Sequence, residues 1–206
     1  MMCYMRTFVL GGARSGKSAV ATRWAHERST EVCCLVTAAP SDSEMAARIA
    51  AHRRERPPHW RVREAPIGLA AALAAEAGGP ALVLVDCLTV WTANCLWPQF
   101  VSGVDAAGAA DADVAGAGHP GGAGAAKTEV APDLEGWRRE REGFLAALRV
   151  FEGEIIVVSN DVGTGIVPEL PAARLFRDEQ GWLNQSVAAL CDEVFLVTAG
   201  LPLRLK

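Results

Sequence analysis

The chain has 206 residues, half of them hydrophobic, and a formal net charge of −4. That length suits one domain with a filled core, and the apolar content excludes a wholly disordered chain. The acidic balance argues against a generic nucleic-acid binder, which is usually basic overall.

In chain order, Thr7–Leu10 reads as a short buried strand closed by glycines, and Lys17–Arg28 as a helix with alanines and Trp24 on its apolar side. Val32–Thr37 is a continuous apolar run, the pattern of a strand covered on both faces. Ser41-Asp42-Ser43-Glu44 has the capping-box form, so a helix is expected from about Asp42 to Arg54, stopped by Pro57-Pro58. Trp60–Glu64 is expected to be extended. Pro66 suits the first turn of a helix reaching about Ala77, which Gly78-Gly79-Pro80 ends. Ala81–Asp86 is a third buried strand and Leu88–Trp97 a helix. Residues 98–132 are rich in Gly and Ala without periodicity, the composition of a flexible insertion. A helix returns at about Asp133–Phe151 with Asp133 as its cap. Glu154–Ser159 is a fourth strand, Asn160–Pro168 a glycine-containing loop, and Pro171–Cys191 mainly helix with a break near Gly181. Glu193–Thr198 is a fifth strand, and Leu201–Lys206 adds an edge strand.

Strands alternating with helices imply a mostly parallel sheet covered on both faces. Ligands of such sheets bind beyond the carboxyl ends of the strands, here the loops after Leu10, Thr37, Asp86 and Ser159. The six cysteines form no C-x-x-C pair and have no histidine at zinc spacing, so they read as buried, reduced thiols. Phe8-Val9-Leu10 is too short for a secretory core, and no run reaches about 18 apolar residues, so neither a signal peptide nor a transmembrane helix is expected, and the protein reads as cytoplasmic.

Gly11-Gly12-Ala13-Arg14-Ser15-Gly16-Lys17-Ser18 matches the full Walker A pattern between a predicted strand and a predicted helix. Glycines let the backbone wrap a phosphate, the helix N-terminus adds partial positive charge, Lys17 is placed for the β- and γ-phosphates, and the Ser18 hydroxyl for Mg²⁺. A mere glycine-rich turn would not account for Lys17 and Ser18. Arg14 either adds a phosphate contact or points to solvent. Asp86 ends an apolar strand as a Walker B acid does and would hold Mg²⁺ directly or through water; the alternative is a cap for the helix that follows. The expected fold is therefore a single α/β P-loop domain over 1–206, three-layered and RecA-like, with the insertion at about 98–132.

Three further segments narrow the field: Glu44–Arg54 (EMAARIAAHRR), Asp86–Asn94 (DCLTVWTAN) and Ser159–Pro168 (SNDVGTGIVP). With Gly11–Ser18 and with Phe176-Arg177-Asp178 and Asn184-Gln185, they closely resemble the bifunctional adenosylcobinamide kinase / adenosylcobinamide-phosphate guanylyltransferase family. The resemblance covers nearly the whole chain outside 98–132, a connection that is usually much shorter in the family. It implies two reactions: transfer of the γ-phosphate of GTP or ATP to the hydroxyl of adenosylcobinamide, then transfer of GMP from GTP to the new phosphate through a GMP-histidine intermediate. The family's histidine follows Glu-Met-Ala-x-Arg-Ile and so corresponds to His52. The resemblance also implies a homotrimer with sites at subunit boundaries.

By itself, a lone histidine on an arginine-rich helix reads as a solvated surface residue, and His59 is a rival to His52. A helix carried through Arg56 would set Arg48 and Arg56 on the face of His52, where they would stabilise phosphate charge and keep the imidazole neutral. The stretch from Arg48 to Arg63 also contains Arg53, Arg54 and Arg61, a basic run suited to phosphates. Asn160 and Asp161 reach either the nucleotide or the corrinoid, or belong to a solvent-facing turn. Thr89 and Asn94 either face the site or decorate a helix, and Arg177 and Asp178 suggest a local ion pair. Other P-loop functions, a small-metabolite kinase without a covalent intermediate or an ATPase switch, share the phosphate loop alone.

Overall fold

A computed structural model describes residues 4–39, 49–50, 53–54, 56–79, 81–101 and 130–206. The apolar runs form one seven-stranded sheet: β1 (Arg6–Gly11), β2 (Val32–Val36), β3 (Arg61–Glu64), β4 (Leu82–Asp86), β5 (Glu154–Asn160), β6 (Glu193–Thr198) and β7 (Leu201–Arg204). Their order is β3-β2-β4-β5-β1-β6-β7, and every neighbouring pair is parallel except β6 and β7. β5 thus lies between the strand that leads into the phosphate loop and the strand that ends at Asp86, the arrangement expected of a RecA-like domain.

The period of two along each strand explains why the runs are apolar throughout. Phe8, Cys33, Leu35, Val83, Val85, Ile155 and Val157 point to one face. Val9, Cys34, Val36, Leu82, Leu84, Ile156 and Val158 point to the other. The second face is covered by α1 (Lys17–Arg28) through Val20, Ala21 and Ala25, with Trp60 beside them. The first is covered by α2 (Leu69–Ala74), α3 (Leu88–Leu96), α4 (Leu134–Val150) and α5 (Pro171–Leu190). Trp91 stands at the centre of that layer, its ring centroid 5.3 Å from those of both Trp137 and Phe144. No helix among the described residues is long and apolar enough to cross a membrane.

Several boundaries differ from the expectations above. The helix expected from Pro66 begins at Leu69, because Gly68 adopts a left-handed φ of 71° and gives its N–H to Glu140 Oε2 at 3.0 Å. α5 runs unbroken through Gly181, its long buried stripe outweighing the weak helix propensity of one glycine. The composition shift at residue 98 precedes the true boundary. Pro98–Phe100 form a 3-10 turn, Val101 is buried, and Asp133 N–H donates to the Leu96 carbonyl at 2.8 Å, joining the two ends. Asp133 caps α4 as expected, accepting from Gly136 N–H at 2.8 Å. Of the helix expected over 42–54, residues 49–50 and 53–54 are helical and the others lie outside the described residues, as do 102–129 of the insertion.

The aromatic cluster makes the α3–α4 layer sensitive to truncation. Phe144→Ala is expected to lower the unfolding free energy by about 3–5 kcal/mol in urea titration. A loss under about 1 kcal/mol would show that the ring is not packed between α3 and the sheet.

Candidate active site

Gly11 is the last residue of β1 and pairs with Asn160 on β5 and Val197 on β6. A Cβ there would lie 2.7 Å from the Val197 carbonyl oxygen, so only glycine lets the chain leave the sheet at this point. The loop then curls tightly: Arg14 has φ 58° and Gly16 φ 91°, both left-handed. It is held from outside by the turn between β6 and β7. Gly200 N–H donates to the Ser15 carbonyl at 2.8 Å, and a Cβ on Gly16 would sit 3.0 Å from Gly200 Cα. α1 starts at Lys17 with no side-chain cap and no acid in its first turn, which leaves its N-terminal partial charge uncancelled.

The loop opens onto a cavity of about 590 Å³ lined also by Val36 and Ala38 after β2, Ile49, Arg56, Asp86 and Cys87 after β4, and Asn160 after β5. These are the carboxyl ends of the parallel strands. Lys17 is 9% exposed and donates from Nζ to the Gly12 carbonyl at 3.1 Å. Burial lowers its pKa below the ordinary 10.5, opposed in part by nearby negative charge including Asp86. Asp86 accepts a hydrogen bond from an Arg56 guanidinium nitrogen at 2.8 Å, and the two side chains are only 16% and 7% exposed. Ser18 lines the same space, while Arg14 is exposed. Gly12 and Ala13 are exposed in the loop, with Ala13 on the cavity wall.

Arg56 is not helical, contrary to the expectation of a helix carried through it. It lies at a bend. The cause is Pro57, which disfavours helical backbone in the residue before it. The basic run is also less available to phosphates than its composition suggests. Arg53 pairs with Glu64 at 2.7 Å, Arg63 with the buried Glu76 at 3.0 Å, and Arg61 with Glu76 as well. His52 and Arg48 lie outside the described residues. His59 is exposed, 6.4 Å ring to ring from His26, and is not part of the cavity wall. Arg177 pairs locally with Asp178 at 2.9 Å.

Beneath the cavity lies a polar lattice. Thr37 Oγ1 accepts from Cys87 N–H at 3.1 Å and donates to the Cys87 carbonyl at 2.7 Å, tying β2 to the end of β4. Asn94 Nδ2 donates to the carbonyls of Thr37 and Pro66 at 2.8 and 3.0 Å. Thr89 Oγ1 accepts from Asn160 N–H at 2.7 Å, and Asn184 Nδ2 donates to the Asn160 carbonyl at 3.0 Å. Ser159 Oγ and Gln180 Nε2 both donate to Asn184 Oδ1, at 2.8 and 2.9 Å. Thr89 and Asn94 are therefore inward-facing, and they hold the wall of the cavity by bonding its backbone. Gln180 was not visible as a site residue. Its only sequence signal is an amide pair spaced by four, Gln180 and Asn184, on the inner face of an amphipathic helix.

Two oxygens on this wall lack a partner among the described residues: Asn160 Oδ1 and Ser15 Oγ, both buried. The Asp86 carboxylate and the Ser18 hydroxyl are oxygen donors on the cavity wall, a set that suits a hard ion such as Mg²⁺, which keeps several waters and few protein ligands. No group of three or more His, Cys, Asp or Glu side chains suited to a metal occurs among the described residues.

Asn184→Ala removes the donor to the Asn160 carbonyl and one acceptor of Gln180. Unfolding free energy is expected to fall by about 1–3 kcal/mol. A change below about 0.5 kcal/mol would mean that the lattice does not form.

Residues 7–205 match the family described as cobinamide kinase / cobinamide phosphate guanyltransferase. The chain is 40% identical over 205 residues to the bifunctional adenosylcobalamin biosynthesis protein CobP of Pseudomonas aeruginosa, covering 98% of each. It is 34% identical over 202 residues to the bifunctional adenosylcobalamin biosynthesis protein CobU of Escherichia coli K12, covering 98% of this chain and 100% of that one. Among solved structures, it is similar to the assembled ATPase EscN of the enteropathogenic E. coli type III secretion system at a TM-score of 0.48 and 11% identity. That likeness spans 95% of this chain and 43% of the other, and the fold assignment stands on the strand order instead.

Proposed function

The chain belongs to the cobinamide kinase / cobinamide phosphate guanyltransferase family, and on that premise we propose that its one phosphate-loop cavity serves both reactions. It is a bifunctional kinase and guanylyltransferase of cobalamin biosynthesis. The observation that carries the shared-cavity reading is the meeting of the uncapped α1 N-terminus, Lys17, Arg56 and Asp86 around one space at the strand ends.

In the first step, the substrate hydroxyl oxygen attacks the γ-phosphorus of GTP or ATP, and the nucleoside diphosphate leaves. Gly11–Ser18 hold the triphosphate, and the Lys17 ammonium follows the charge that develops between the β- and γ-phosphates. Ser18 and Asp86 would hold Mg²⁺, directly or through water, and the ion would neutralise charge on the phosphate oxygens. In the second step, a neutral His52 nitrogen attacks the α-phosphorus of GTP and pyrophosphate leaves. The phosphate oxygen of adenosylcobinamide phosphate then attacks the same phosphorus, and the imidazole departs. What supports His52 is its place in the chain: Ile49, three residues before it, lines the cavity, and Arg56, four after it, reaches Asp86. On the family resemblance alone, we extend the proposal to a cytoplasmic homotrimer, and to one domain over 1–206 with an insertion at about 98–132.

Incubation with GTP labelled at the α-phosphate, followed by denaturation, is expected to leave acid-labile, alkali-stable label on the wild-type chain. His52→Ala should lose that label and keep phosphate transfer to adenosylcobinamide. Label that persists in His52→Ala moves the role to another residue, His59 first; γ-phosphate transfer with no α-label from the wild type supports a kinase without the covalent step.

Burial lowers the Lys17 pKa, and a bound triphosphate raises it again. Affinity for a non-hydrolysable GTP analogue is therefore constant while Lys17 stays protonated in the free protein. It falls as pH rises through the lowered value, with the decline beginning below 10.5. Isothermal titration of wild type against Lys17→Met should show the decline in the wild type alone; equal pH profiles would remove Lys17 from phosphate binding.

A further inference from the structure

We propose that Arg56 is a stand-in for the metal: by pairing with Asp86 it lets the cavity take up a nucleoside triphosphate before a divalent ion arrives, and the ion then takes over the carboxylate. This rests on reading the cavity as a magnesium–triphosphate site. An unpaired, largely buried Asp86 would face a ligand carrying several negative charges across the same cavity, where repulsion is screened less than in open solvent. Lys17 offsets it only in part: its ammonium feels the Asp86 charge but forms no ion pair with that carboxylate, donating instead to the Gly12 carbonyl at 3.1 Å. Among the described residues, the one ion pair of Asp86 is with Arg56.

Three observations make that pair exchangeable rather than a fixed strut. It is a single hydrogen bond, at 2.8 Å, from a group with five donors, and among the described residues the rest of the guanidinium has no other partner while it lines the cavity. Arg56 sits at a bend, outside the strand and helix ladders. It is also tethered close by: Trp60 is buried against the sheet and gives its N–H to the Pro57 carbonyl at 3.1 Å. On release from Asp86, the guanidinium stays beside the cavity, placed to return to the carboxylate when the ion leaves. Arg53, Arg61 and Arg63 are engaged elsewhere, with Glu64 and Glu76.

The test is the ratio of dissociation constants for a non-hydrolysable GTP analogue in EDTA and in excess Mg²⁺, measured by equilibrium binding. Arg56→Gln should raise this ratio roughly tenfold over wild type, because the metal-free complex alone meets a bare carboxylate. Arg56→Lys, which retains the charge, should stay within about threefold of wild type. In an Asp86→Asn background, Arg56→Gln should no longer weaken metal-free binding, since the charge it offsets is gone. A merely structural salt bridge or a plain phosphate contact would weaken both conditions alike and leave the ratio unmoved; either that result, or a penalty that persists in Asp86→Asn, overturns the proposal. A wild-type protein that binds the analogue in neither condition would overturn the magnesium–triphosphate reading itself, and this inference with it.

Discussion

The site depends on β1 ending without a side chain. Gly11 is wedged between β5 and β6, and the Val197 carbonyl stands where its Cβ would be. Five residues later, Gly16 passes close to Gly200 in a left-handed turn, and Gly200 N–H holds the Ser15 carbonyl. Between these two close approaches the chain has little choice but to curl. The curl brings Lys17 to the first turn of α1 beside Asp86. Backbone packing in the sheet therefore creates a phosphate-binding geometry that needs no ligand to preform it.

Charge is the second constraint. On the cavity wall the half-buried Asp86 carboxylate lies with two little-exposed cations, Lys17 and Arg56, and each makes a single hydrogen bond among the described residues. That arrangement is poorly suited to stability alone, since desolvated charges gain little unless fully paired. It suits a site that awaits a polyanion and a hard cation. The lattice of Thr89, Ser159, Gln180 and Asn184 keeps this wall in place through the backbone and side chains around Asn160.

The sheet was legible because burial on both faces makes strands continuously apolar; β2, β4 and β5 were found within a residue or two. The phosphate loop and Asp86 were legible because residue type and strand-end position suffice to recognise them. What pairs with Asp86 was not. Arg56 is far from it in sequence, and a helical reading of that segment ignored the bend that Pro57 imposes. The start of α2 was misjudged since Gly68 and its bond to Glu140 are a tertiary choice. Gln180 was missed because an amide on an amphipathic helix looks like any polar residue until Ser159 is known to lie beneath it. The role of His52 rests on motif resemblance and that of Arg48 on its helical spacing from His52; both lie outside the described residues.

The central claim is that one cavity feeds both reactions. Equilibrium dialysis with non-hydrolysable analogues of ATP and GTP, alone and together, measures this directly. The account predicts that the two compete and saturate at one nucleotide per chain, with Lys17→Ala losing both. Simultaneous binding of both analogues, or an ATP site that survives Lys17→Ala, would contradict it.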